Sequence, residues 1–80
     1  MPTFYVIEGV KIQLFFRDHN PPHFHTEFAE YKALISIEEQ EVMEGDLPKN
    51  KRKKIIKWAE DHQEELMEIW HELQMEDEND

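Results

Sequence analysis

The chain has 80 residues, 39% hydrophobic and 35% charged, enough apolar material for one modest core, which excludes a large enzyme with two lobes and a buried cleft. With no cysteine, disulfide frameworks and thiolate metal centres are excluded, stability must come from packing, and the cytoplasm is the expected compartment. A formal net charge of -10 argues against general affinity for nucleic acid, and no apolar run reaches the length of a membrane span, so no membrane partner is expected.

Thr3 to Ile7 and Val10 to Phe16 are β-branched and aromatic runs separated by Glu8-Gly9, a two-residue spacing that predicts a tight antiparallel hairpin. In the second run Val10, Ile12, Leu14 and Phe16 share one face, while Lys11, Gln13 and Arg17 share the other with Phe15 as an exception. Residues 23 to 29 alternate again, Phe24, Thr26 and Phe28 opposite His23, His25 and Glu27. Residues 31 to 37 continue with Tyr31, Ala33, Ile35 and Ile37 on one side. Glu41 to Glu44 fits a short fifth strand before Gly45-Asp46-Leu47-Pro48 breaks the pattern.

From Asn50 the period changes. Ile55, Ala59, His62, Leu66, Ile69 and Leu73 recur every three or four residues, with Trp58 and Trp70 beside them, which predicts one long amphipathic helix or two in succession. Asn50 is the candidate N-cap. A continuous helix over residues 51 to 76 would measure about 39 Å, against roughly 25 to 30 Å for so small a domain, so its end must fray or project. Residues 76 to 80 are expected to form a disordered acidic tail beyond a single domain over 1 to 75. His62 is expected to be partly buried and hydrogen-bonded, His71 to lie on the surface, and the tryptophans to make core or partner contacts. The expected architecture is α+β: an antiparallel meander of four or five strands covered on one face by the C-terminal helix.

Charge is segregated. Lys49, Lys51, Arg52, Lys53, Lys54 and Lys57 fall in one segment, whereas residues 58 to 80 hold ten carboxylates and no lysine or arginine. This opposes the helix macrodipole. Either Lys51, Arg52, Lys53 and Lys54 form a site for RNA or another phosphate-bearing target, or folding brings carboxylates such as Glu44 and Asp46 close; the second is favoured.

The segment least like ordinary core or surface is Asp18-His19-Asn20-Pro21-Pro22-His23-Phe24-His25. His23 and His25, two apart on a strand, leave the same face, opposite Phe24, and are expected to point to solvent or a partner. The prolines stiffen the loop presenting Asp18 and His19, and one X-Pro bond is a candidate for the cis form. Three chemistries fit. His23 and His25 with Glu30 can ligate a divalent metal ion. Alternatively, His19, His23 and His25 can act as acid and base beside Asp18, with Arg17 or a helix lysine as the cation that steadies a phosphate. Or the histidines serve structure or partner binding without chemistry. The His-x-His-x4-Glu spacing is similar to a cupin element, but the chain is too short for that barrel and lacks its glycines.

Met1-Pro2-Thr3-Phe4, the DHNPPHFH block at 18 to 25, Gly45-x-Leu47-Pro48, and Trp58, Leu66 and Trp70 together resemble a small prokaryotic family known as domain of unknown function 4160. The likeness covers most of residues 2 to 73. It implies one half of a two-gene cassette whose other half is a similarly small protein, and hence a type II toxin–antitoxin pair; it implies no catalytic residue. The expected function is the toxin-like component, acting through the histidine-rich loop and strand and neutralised by a small cognate protein. The alternatives are an antitoxin-like binding module and a small metal-dependent enzyme.

Overall fold

Strands β1 (Thr3–Ile7) and β2 (Val10–Leu14) form the expected hairpin. Glu8 and Gly9 take φ of 52° and 79°, the two left-handed residues of a tight turn whose twist matches its flanking strands. In this computed structural model, which describes residues 3–15 and 17–75, the meander continues through β3 (His23–Phe28), β4 (Tyr31–Ser36) and β5 (Val42–Gly45). All five strands are antiparallel and neighbour one another in chain order. β2 ends at Leu14, short of the expected Phe16, which lies outside the described residues, as do residues 76–80 of the expected tail.

Alternation sorts the sheet into two faces. Val10, Ile12, Leu14, Phe24, Thr26, Ala33 and Ile35 are buried on one side and meet Ile55, Ala59, Leu66, Trp70 and Leu73 from the C-terminal helices. Tyr31, expected on the core side, is 37% exposed at the strand's first position. Burying such aliphatic and aromatic side chains contributes about 1.5–3 kcal/mol each, which is how so short a chain without cross-links holds a sheet together.

The helical segment is two helices, α1 (Lys49–Asp61) and α2 (Gln63–Met75), interrupted at His62. Each helix measures about 20 Å at 1.5 Å per residue, and the described molecule, 40 Å in its longest dimension, is more elongated than the roughly 25 to 30 Å expected. His62 is satisfied at the junction, its Nδ1 2.8 Å from the Trp58 carbonyl and its ring stacked on Trp58. The expected Asn50 cap is not used. Pro48, with φ locked at -54°, precedes the first turn, and its carbonyl accepts the first helical hydrogen bond from Arg52 N at 2.8 Å.

Tyr5 ties β1 to α2, donating to Glu65 Oε2 at 3.0 Å while its ring packs edge-on against Trp58. Burial, the Glu65 hydrogen bond and the Glu65 charge all push its phenol above the ordinary value near 10. The neutral phenol is the bonded form, so its stabilising contribution is complete below the unfolded value and lost as pH rises through the raised folded one. Ultraviolet titration of phenolate should therefore show a late component that disappears in Tyr5→Phe; an unchanged curve shape in the variant would contradict this placement. No helix among the described residues is long and apolar enough to cross a membrane.

Candidate functional site

The loop from β2 to β3 reverses through Arg17, at φ 54°, and a cis Asn20–Pro21 bond. Proline offers a carbonyl but no N–H, and both carbonyls of the pair find donors. Pro22 O accepts from Ile37 N at 3.1 Å, fixing the loop to the end of β4. Pro21 O lies 2.8 Å from His23 Nδ1, and a carbonyl can only accept, so Nδ1 carries a hydrogen there.

Asp18 is held just as closely. Its backbone N–H donates to Gln74 Oε1 at 3.0 Å, and its Oδ1 accepts from His19 N at 2.9 Å. Gln74 reaches Phe15 O with its other end at 3.3 Å, so the last turns of α2 clamp both sides of the loop. The remaining carboxylate oxygen, Oδ2, sits 3.1 Å from His23 Nε2 and 2.9 Å from His25 Nε2. One oxygen therefore faces two imidazole nitrogens, and the three donor atoms all fall within 4.8 Å of one another.

The two histidines are not equivalent. Alternation predicts that both rings leave the open face, and His25 does, with its side chain 35% exposed. His23 does not: its side chain is 6% exposed, and its ring packs 5.3 Å from Trp70 and 5.2 Å from His25. Strand parity sets the direction of Cβ, but at the first residue of β3 the Pro21 bond turns the ring along the end of the sheet, beneath α2. Phe15, the apolar exception on the wet face, covers His25 edge-on at 4.6 Å.

Burial would raise the Asp18 carboxyl, but the His25 and His19 hydrogen bonds and the charges of His23 and His25 outweigh it and hold the carboxyl below its ordinary range. It is ionised at neutral pH.

Of the residues singled out by sequence, Asp18, His23 and His25 converge. Arg17 and His19 lie in the exposed turn, and His19 contributes its backbone amide. Glu30 is not part of the cluster. It occupies the β3–β4 turn at the far end of β3, because the strand runs straight on from His25, and Asp18 takes the carboxylate's place through the loop reversal. Gln74 and the Trp70 contact had no signal beyond the position of Gln74 four residues after Trp70, on the same helical face.

The basic segment is counterbalanced in part: Lys54 pairs with Glu8 at 3.2 Å, Arg52 with Asp46 at 3.4 Å and Lys57 with Asp61 at 3.7 Å, while Lys51 donates to the uncharged backbone carbonyl of Glu8 at 2.9 Å. Asp46 acts as expected; Glu8 is supplied by the first hairpin.

His25 opens onto the sheet face that carries no helix. Gln13, His25, Leu34 and Glu44 stand in register across β2 to β5 and line a groove of about 410 Å³ with Phe15, Lys11, Glu27 and Lys32.

Comparison with known proteins gives one result. No curated protein and no solved structure matches the chain. The model of the family described as Domain of unknown function (DUF4160) matches residues 9–71, a span that includes Asp18, His23, His25 and the Gly45 turn. On that match, over more than half of its length, the chain belongs to the DUF4160 family.

Proposed function

We propose that this protein is the toxin-like component of a prokaryotic type II toxin–antitoxin cassette, working in the cytoplasm through Asp18, His23 and His25 and silenced by a small partner protein. The observation that carries the reading is a single carboxylate oxygen placed 3.1 and 2.9 Å from two imidazole nitrogens. Folding alone does not call for it, since an ion cluster at the edge of a core stabilises no more than apolar side chains of similar volume. Clusters of interacting titratable groups concentrate at functional sites. Within the cluster, Asp18 orients the rings, His23 is locked behind, and His25 is the imidazole a ligand in the groove can reach. The cassette setting comes from the family resemblance.

Induction of the gene alone should arrest growth, co-expression of the adjacent cassette gene should relieve the arrest, and His25→Ala or Asp18→Asn, expressed to the same soluble level, should abolish it. Transcripts sampled during arrest test RNA as the target, with cut messages expected. Unimpaired growth at confirmed expression would sink the toxin reading in favour of the partner-binding half.

A further inference from the structure

The two ring nitrogens of His23 are turned to two different oxygens. Its Nδ1 must carry a hydrogen, because the Pro21 carbonyl 2.8 Å away can only accept. Nε2, the other ring nitrogen, faces Asp18 Oδ2 at 3.1 Å in a side chain only 6% exposed. His25 Nε2 meets the same oxygen at 2.9 Å.

We propose that Asp18, His23 and His25 form a binding site for one divalent transition-metal ion, with Nε2 of both histidines and Oδ2 of Asp18 as ligands. The inference deepens the toxin reading by assigning its site a cofactor. Ligands about 2.0–2.2 Å from an ion, at the angles of tetrahedral or octahedral coordination, stand roughly 2.9–3.5 Å apart; the two nitrogen–oxygen separations fall in that range, and the two nitrogens lie within 4.8 Å of each other, so binding draws the rings together. Two imidazoles and one carboxylate suit zinc, iron(II) or manganese(II) rather than calcium or magnesium, whose sites are built from oxygen.

The supporting shell is already in place. Pro21 O fixes the His23 tautomer, as outer partners of metal-bound histidines commonly do. His19 N holds Oδ1 of Asp18, leaving Oδ2 for the ion, and Gln74 fixes the Asp18 backbone. Three protein ligands leave coordination positions for water or substrate, and the partly exposed His25 marks the accessible side, toward the groove.

The test uses the full chain, untagged, stripped with chelator and titrated with Zn2+ by calorimetry, with histidine ring nitrogens followed by NMR. One Zn2+ per chain is expected, moving the Nε2 signals of His23 and His25 and leaving those of His19, His62 and His71 in place. His25→Ala and Asp18→Asn should each weaken binding by at least about 100-fold, since even loss of an outer partner costs about 10- to 100-fold. Asp18→Asn should still fold. Its amide can donate a hydrogen to each Nε2 while its oxygen keeps the His19 bond, so it melts close to the metal-free wild type and, unlike it, gains nothing from Zn2+. Equal affinity in wild type and both variants, signals moving on His19 or His71 instead, or no binding at excess Zn2+ would each overturn the site. Growth arrest is read separately: a metal-binding protein that causes no arrest overturns only the toxin reading, and arrest by a protein that binds no metal overturns only this inference.

Discussion

His23→Ala is expected to cost about 3–5 kcal/mol of stability, the range for removing one partner of a buried pair, whereas His25→Ala should cost about 1 kcal/mol or less, as for exposed pairs. The residues are two apart on one strand, but their surroundings differ. Removing His23 opens space beneath Trp70, takes the partner from Pro21 O, and leaves Asp18 Oδ2 facing His25 alone. Removing His25 takes away a partly exposed ring whose main apolar neighbour is Phe15, and His23 still faces the carboxylate. Urea unfolding of the two metal-free variants side by side checks this. Equal losses would mean that His23 is not the structural member of the site. For the same reason His25→Ala and Asp18→Asn, not His23→Ala, can separate lost function from lost fold.

The second large effect is expected at Gly45. Its φ is +80°, and a Cβ there would land on the Lys32 carbonyl oxygen and 3.0 Å from Ala33 Cα. The left-handed backbone alone costs an L-residue about 1–2 kcal/mol, and backbone atoms cannot move aside as a flexible side chain can. Gly45→Ala must therefore push β5 away from β4. That endangers the Asp46 N to Lys32 O bond and the burial of Leu47, which is 1% exposed and leads into α1. A loss of about 3 kcal/mol or more follows, roughly 12–24 °C in melting temperature for a domain of this size. Gly9→Ala is the control. Its φ is +79°, but the new Cβ meets only Phe28 at 3.6 Å, an ordinary contact, so the backbone term stands alone. Thermal melts within a few degrees of each other would show that the close approach at Gly45 does not matter.

Most of the architecture was legible from local pattern. A tight turn at Glu8-Gly9, strands alternating with period two, and a change to period three or four after Asn50 each follow from backbone geometry within a few residues. Where local rules competed, sequence left the outcome open. The helical pattern passes through His62 without interruption, and the preferred cap residue at Asn50 lies inside the first turn because Pro48 already starts the helix. The basic start of α1 looked unbalanced because Glu8, which receives Lys51 and Lys54, is more than forty positions away.

What the sequence by itself determined is the place of the candidate site and the residue types in it: two imidazoles two apart on a strand, beside a stiff proline loop with a carboxylate at its start. Side-chain parity and proline stereochemistry need no distant partner. Only the tertiary structure decided which carboxylate joins, and which histidine is buried. Asp18 rather than Glu30 completes the cluster because the loop doubles back while the strand runs straight, and no residue spacing encodes that reversal. His23 is enclosed because α2, folded back from the other end of the chain, brings Trp70 over its ring and Gln74 to the loop. Helix periodicity shows that such a face exists; only packing selects what it covers.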